Sequence, residues 1–335
     1  MSQSTQGQHT ADTLAAEPYL GPLISSFISN IGYTTAPVIN DGIYWSALHR
    51  HAVNTGFPHL EGSHSFKCLK VGGNYAIACF PNHPLQVQVY VGIYTWIAIV
   101  IDDVACQSLE DFEHFHERFA SGNPQPTILL EAWAGLIRSA FDHWDSMAAN
   151  FIVAASLDFH NACVLEARSE LRRLVRTKGG QSLAWYIRSK TGVADAYAYF
   201  TFPKTIYPDI SCFLEAIPDL SAYLCLANDV LSFYKEEKAK EKENYVNYRA
   251  HYEGNDTRTV LREIIEQTQN AVQRMRVVVK GREPYEQALN DHILGYVAFH
   301  ILSDRYRLSE IGLGESTPGV ANSEVSQCSL IDCKK

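Results

Sequence analysis

The chain has 335 residues, is 46% apolar and 19% charged, and carries a net charge of −9. That is enough apolar content to bury a large core without a stapling disulfide or metal, and the acidic balance excludes a general nucleic-acid surface. Eight scattered cysteines with no C-x-x-C pair read as a reduced, cytoplasmic protein.

Residues 1–18 are polar and small, read as a tail, and show no apolar stretch for a signal peptide. Residues 19–31 and 42–55 have helix length and apolar character. Residues 56–84 carry Gly, Pro and His and read as loop-rich, with short helices at most. Pro84 then opens the most apolar run, residues 85–101, which is too long for one strand. Its Gln86, Gln88 and closing aspartates argue against a membrane span. Residues 122–126 form a break, after which Thr127 can cap a helix over 128–144. Residues 147–176 predict a long helix ending on arginines before Gly179-Gly180. Two pieces, 181–190 and 193–202, join at Thr191-Gly192. Pro218 can start a helix running through Glu236, and residues 257–279 and 284–306 supply two more. Residues 235–243 read as a solvated helix end. The last residues, 311–335, read as a second tail, too short at Cys333 for a prenylation box. Around ten helices with no strand pattern, no repeat and no internal linker predict an all-α, single-domain helical bundle over 19–310.

The polar features fall on these helices. Asn228, Ser232 and Glu236 are spaced four apart. Two such steps turn the third group only about 80° from the first, so an amide carbonyl, a hydroxyl and a carboxylate share one face. Such a stripe is usually solvated, yet the residues just upstream are almost wholly apolar, which suggests a buried helix reaching a polar mouth. Hard oxygen donors of low net charge suit a Mg²⁺ that completes its shell with water and phosphate. Lys235 adds a point charge for phosphate. Asp102 and Asp103 close the most apolar helix, where the helix dipole opposes them and a cation would relieve the conflict. Arg188, Arg305 and Tyr306 are unremarkable singly; together with Lys235 they can donate to a diphosphate. Cys106 has no partner Cys or His placed for a zinc site. The 13 histidines form no H-E-x-x-H, and His114-Phe115-His116 lacks a third ligand, so a zinc hydrolase is disfavoured.

An aspartate pair near residue 100, an arginine before a helix break, N-D-x-x-S-x-x-K-E and a late Arg-Tyr occur in that order. This resembles the class I terpene cyclases, most closely the trichodiene synthase family of fungal sesquiterpene cyclases. The resemblance covers residues 19–308, and 186–248 carry most of it. It implies that Asp102 bridges magnesium ions while Asn228, Ser232 and Glu236 hold another, a trinuclear cluster by family likeness. It implies that Arg188 senses the diphosphate and that Thr191-Gly192 relays closure. Lys235, Arg305 and Tyr306 would bind the diphosphate, with Arg188 and Tyr306 acting on the leaving group, and Asp103 would pair with Arg305 on closing. The usual D-D-x-x-D reads Asp102-Asp103-Val104-Ala105-Cys106, so its last acid is a cysteine.

The implied reaction is ionisation of farnesyl diphosphate and cyclisation of the resulting cation inside an apolar pocket. Counting back from the mouth, the expected walls are Ile99, Ala98 and Tyr94, then Cys225, Leu224 and Ser221, then Leu302, Ile301 and Ala298. Tyr94 would offer its π face to the cation. Plain core packing is an equally fair account of any one of them. A chain-elongating prenyl diphosphate synthase shares this chemistry but normally carries two aspartate-rich motifs. A non-catalytic helical binding protein is the remaining rival. Bundle cyclases of this kind often pair as homodimers.

Overall fold

The structure, a computed structural model, describes residues 18–34 and 42–314. The expected tails lie outside these residues, except for Pro18 and the segment from Ile311 to Gly314. Among the described residues there are fifteen α-helices, five short 3₁₀ turns and no strand. Many boundaries follow from side-chain caps. Thr127 accepts from the Leu130 amide at the start of Ile128–His143, and Asp256 accepts from the Thr259 amide at the start of Thr257–Val279. Pro218 sits in the first turn of Ile217–Lys238, where its missing N–H is no loss.

Leu85–Val104 runs through the middle of the bundle with every residue from Val87 to Ala98 buried. His64–Cys79 packs along it, and Tyr285–Leu302 packs on the other side of His64–Cys79. Ile217–Lys238 is the second central helix, held between Ala194–Phe200 and Thr257–Val279. Leu85–Val104 and Ser146–Ala167 are long and apolar enough to cross a bilayer by length and composition alone. Of the apolar window in Leu85–Val104, 78% is buried inside the bundle, which accounts for its composition without a membrane.

Residues 56–84 depart from the loop-rich reading. Ser63 accepts from the Phe66 amide and starts the sixteen-residue helix His64–Cys79. The glycines that looked like breakers are there for close packing. A Cβ on Gly72 would lie 2.4 Å from the Gly92 carbonyl oxygen, and one on Gly295 would lie 2.0 Å from the Ala78 oxygen. Only glycine lets these backbones approach so closely, and that outweighs its poor helix propensity. The long helix expected over 147–176 instead ends at Ala167, because Arg168 turns extended. The charge run 235–243 does close the helix ending at Lys238, and a further helix follows it, Tyr245–Glu253, capped by Asn244, whose side chain accepts from the Asn247 amide.

Candidate active site

The two central helices end in a polar mouth. The last turn of Leu85–Val104 presents Asp102, and the middle of Ile217–Lys238 presents Asn228. Both line one cavity of about 180 Å³, together with Glu166, Arg188, Thr191, Asp229, Glu241 and Tyr245. An open surface cleft of about 490 Å³ lies elsewhere, around Glu113 and Arg168–Arg173. Its exposed charges pair among themselves, Arg168 reaching Glu113 at 3.5 Å and Glu170 at 3.4 Å, and it has no buried apolar wall. The smaller cavity is therefore the candidate.

Arg188 is the best-held cation of the mouth. Its Nε donates to both carboxylate oxygens of Asp229, at 2.8 and 3.0 Å, and Nη2 donates to the Cys225 carbonyl at 2.7 Å and to Asn228 Oδ1 at 3.2 Å. Burial pushes the Asp229 carboxyl up to about 7 against the pull of Arg188, and Glu236 pushes the same way. Burial works to lower the Arg188 guanidinium, but Asp229 prevails and its net shift is upward. Gly192 leaves room for this fork: a Cβ there would lie 2.7 Å from Arg188 Nη1 and 3.0 Å from Cys225 Sγ. The left-handed residue at the helix break is Val193, at φ 45°, and it is buried. A β-branched residue there is strained, which marks the junction more sharply than Thr191-Gly192 alone.

Asn228 is oriented from both ends of its amide. His300 Nδ1 lies 2.7 Å from the Tyr296 carbonyl, which can only accept. Its Nε2 therefore carries the lone pair and accepts from Asn228 Nδ2 at 3.2 Å. That assignment agrees with Arg188 donating to Asn228 Oδ1. Burial pushes His300 down to about 3, and Lys235 and Arg305 add to the shift, so the ring stays neutral. Ser232 Oγ donates to Glu236 Oε1 at 2.5 Å. Burial raises the Glu236 carboxyl, Lys235 and Ser232 lower it, and Glu241 raises it again.

Arg305 and Tyr306 lie on the 3₁₀ turn Asp304–Tyr306, just beyond Tyr285–Leu302. Crowding works to lower the Arg305 guanidinium, yet nearby Tyr306, Asp103, Cys68 and Asp102 carry its pKa upward. Arg305 is exposed to solvent even so, and like Lys235 and Tyr306 it does not line the cavity. Tyr306 is buried, its ring 4.1 Å from that of His300, with Lys235 Nζ 5.6 Å from its centroid. Glu310 holds this end of the chain to the central helix. It accepts from Tyr234 at 2.9 Å and from Arg307 at 2.6 Å, and it pairs with Lys238.

The aspartate pair is split. Asp102 is exposed toward the cavity, and Cys163 Sγ reaches its Oδ1 at 3.8 Å. Asp103 Oδ2 lies 2.7 Å from His64 Nε2. Ser232 and Glu236 continue the Asn228 stripe, although they do not line the cavity itself.

Beneath the mouth is an aromatic layer. Tyr306, Phe299, Tyr75, Tyr197 and Tyr94 follow one another at centroid spacings of 5.7, 5.4, 4.9 and 5.9 Å. Tyr94 lies at the far end, fully buried, with its hydroxyl on Ser156 at 2.6 Å and its ring 4.7 Å from Trp133. It does not line the cavity. Ala98, Leu224, Cys225, Ala298 and Ile301 are buried but, like Tyr94, do not line the cavity, and Leu302 is 49% exposed. His300, Asp229, Glu310 and the aromatic layer were not anticipated. Asp229 sat inside the motif and was the one legible signal among them.

The linalool/nerolidol synthase of Streptomyces clavuligerus in complex with 2-fluorogeranyl diphosphate superposes with a TM-score of 0.58 at 14% identity, covering 81% of this chain and 98% of that one. The isoprene synthase of grey poplar gives 0.58 at 13%, over 91% and 60%. The fold is that of the class I terpene synthases. The family signature "Trichodiene synthase (TRI5)" matches residues 67–321. Longiborneol synthase CLM1 of Gibberella zeae is 40% identical over 270 residues, 80% of each chain. Terpene synthase BipA of Cochliobolus sativus is 36% identical over 299 residues, 88% of this chain and 91% of that one. The chain belongs to the trichodiene synthase family and is a terpene synthase. Membership of the class I terpene synthases implies dependence on divalent metal in general.

Proposed function

We propose that the protein ionises farnesyl diphosphate and cyclises the cation to a sesquiterpene hydrocarbon or alcohol, with Mg²⁺ as the metal. The observation that carries this reading is that Asp102 and Asn228, more than a hundred residues apart, line one cavity with Arg188. The donors fit the metal. They are oxygens, Asn228 Oδ1 is turned by His300 and Arg188 into a fixed direction, and negative charge crowds here: Glu236 raises the Asp229 carboxyl and Glu241 raises that of Glu236. A bound cation would relieve that repulsion. Asp102 on one side and Asn228, Ser232 and Glu236 on the other would hold it, and bound Mg²⁺ would supply Lewis-acid stabilisation of the leaving diphosphate.

The protein's own groups do the rest. The C–O bond to the diphosphate breaks, both electrons leave with the phosphate oxygen, and an allylic cation remains. Arg188, Lys235 and Arg305 neutralise charge growing on the leaving group, and the Tyr306 hydroxyl donates to it. To meet the phosphate, Arg188 exchanges its bonds to Asn228 and Cys225, and the strained turn at Val193 is where the helix yields. The cavity of about 180 Å³ suits the charged end of the substrate; the apolar tail belongs with the aromatic layer beneath. The π faces there stabilise positive charge by about 0.5–2 kcal/mol each and keep water away. Asp103 turns from His64 to Arg305 as the site closes.

Incubation with farnesyl diphosphate and Mg²⁺ followed by gas chromatography and mass spectrometry of the volatiles tests the reading. Metal-dependent cyclic C15 products are expected. Longer prenyl diphosphates, or no metal-dependent product, would reject it.

A further inference from the structure

We propose that His64, Cys68 and Asp103 form a binding site for a borderline-soft divalent cation, Zn²⁺ foremost, distinct from the oxygen-donor site of the reaction. His64 and Cys68 lie one turn apart on the same face of His64–Cys79. Asp103 comes from the last turn of the helix packed along it. His64 Nε2 is 2.7 Å from Asp103 Oδ2 and 3.4 Å from Cys68 Sγ, and the three donor atoms all lie within 4.8 Å of one another.

Tetrahedral Zn²⁺ takes sulfur at about 2.3 Å and nitrogen or oxygen at about 2.0–2.2 Å, which sets donors roughly 3.3–3.6 Å apart. The sulfur–nitrogen pair is already at that spacing. The nitrogen–oxygen pair must open by roughly half an ångström, which small side-chain rotations supply. Cys68 is buried while His64 and Asp103 are partly exposed, so the site has a soft floor and an open rim. Three protein donors leave a fourth position for water, the pattern of an exchangeable zinc site rather than a closed structural one. A thiolate and an imidazole disfavour Mg²⁺, which demands oxygen donors in octahedral array. The two cation sites therefore discriminate by donor chemistry although Asp102 and Asp103 are adjacent.

The site has a consequence that rests on the function proposed above. Asp103 is the carboxylate expected to reach Arg305 on closure, and Arg305 already lies in the field of Asp103, Cys68 and Asp102. A cation that holds Asp103 against His64 and Cys68 keeps it from Arg305. Zn²⁺ then inhibits Mg²⁺-supported turnover by holding the mouth open.

Cobalt(II) titration of the metal-free full-length protein tests the site without any turnover. A thiolate-to-cobalt charge-transfer band is expected in the wild type and in Cys163→Ser, absent in Cys68→Ser, and at least tenfold weaker in affinity in His64→Ala. The partly exposed His64 gives a variant with little risk to folding. No band in the wild type, or a band lost in Cys163→Ser and kept in Cys68→Ser, overturns the assignment, the second outcome placing the cation at Asp102. Zn²⁺ titration of turnover at saturating Mg²⁺ tests the consequence. The half-inhibitory concentration should rise at least tenfold in His64→Ala and Cys68→Ser, each scaled to its own zinc-free rate. Turnover insensitive to zinc beside an intact cobalt band overturns the inhibitory role alone.

Discussion

The two banks of the mouth are built differently. On Ile217–Lys238 every donor is tied before any ligand arrives: Asn228 between His300 and Arg188, Ser232 on Glu236, and Asp229 on Arg188. On Leu85–Val104 the donors sit in the last turn, Asp102 toward the cavity and Asp103 drawn aside to His64. One bank starts in the interior of a helix, where Asn228 is cross-braced by another, and reaches the last turn only at Glu236; the other lies wholly at a helix end, where backbone and side chains have more freedom. Preorganised groups lose least on binding and set affinity, whereas groups that must move gate the reaction. The comparison assigns metal affinity to the braced bank and closure to the loose one.

The largest effects should follow from cutting the braced bank. Asn228→Ala or Glu236→Ala is expected to lower turnover by about 10²–10³, the scale for losing a group that stabilises developing charge. Helicity by circular dichroism should be unchanged, because both positions face the mouth. Asp103→Asn should cost less and appear chiefly in kcat at saturating Mg²⁺. If Asp103→Asn instead weakens Mg²⁺ as strongly as Asn228→Ala, the division between the banks is lost.

His300 sharpens the comparison. It reaches no substrate or metal position and acts through Asn228. His300→Phe removes the acceptor while keeping an aromatic ring against Tyr306. The half-saturating Mg²⁺ concentration should rise by about 10–100-fold, as for other groups that orient a metal ligand. kcat at saturating Mg²⁺ should fall much less, and His300→Gln, which retains an acceptor, should recover part of the affinity. The pH profile adds a check. His300 is pushed down to about 3 in the fold, whereas an unfolded histidine titrates near 6.5. Between those values the unfolded chain binds more protons, so stability falls as pH drops from about 6.5 toward 3. The Asn228 bond persists across that range, so Mg²⁺ affinity should not track a histidine titration above about pH 4. A purely structural His300 would instead lower thermal stability and kcat together in His300→Phe.

How much of this was legible in the sequence divides along the same line. Spacing within one helix is local, so the Asn228–Ser232–Glu236 stripe and the capped helix Thr257–Val279 could be read directly. Bonds between helices could not. Nothing in the sequence around His300 distinguishes it from any histidine on an apolar face; its meaning comes from Asn228, 72 residues away. The helix His64–Cys79 was hidden because Gly72 looks like a breaker until Gly92 is seen packed against it. Its misreading also concealed the one-turn spacing of His64 and Cys68. Helical counting found buried positions, but burial is as well explained by core packing, and Leu302 is 49% exposed because the helix ends there.

The smallest effect expected is at the break that presents Arg188 to the braced bank. Val193 is buried and left-handed, so replacing it with glycine sets three terms against one another. Losing the buried side chain costs about 2 kcal/mol, and the freer unfolded chain costs about 0.5–1 kcal/mol more. Release of the left-handed strain returns about 1–2 kcal/mol. Val193→Gly should therefore lose only about 1 kcal/mol, where a valine in ordinary helical backbone would lose about 3. Urea unfolding followed by tryptophan fluorescence measures the difference. A loss near 3 kcal/mol would mean that the turn stores no strain. The way Arg188 is released toward the diphosphate would then have to be sought in the helix that carries Asp229.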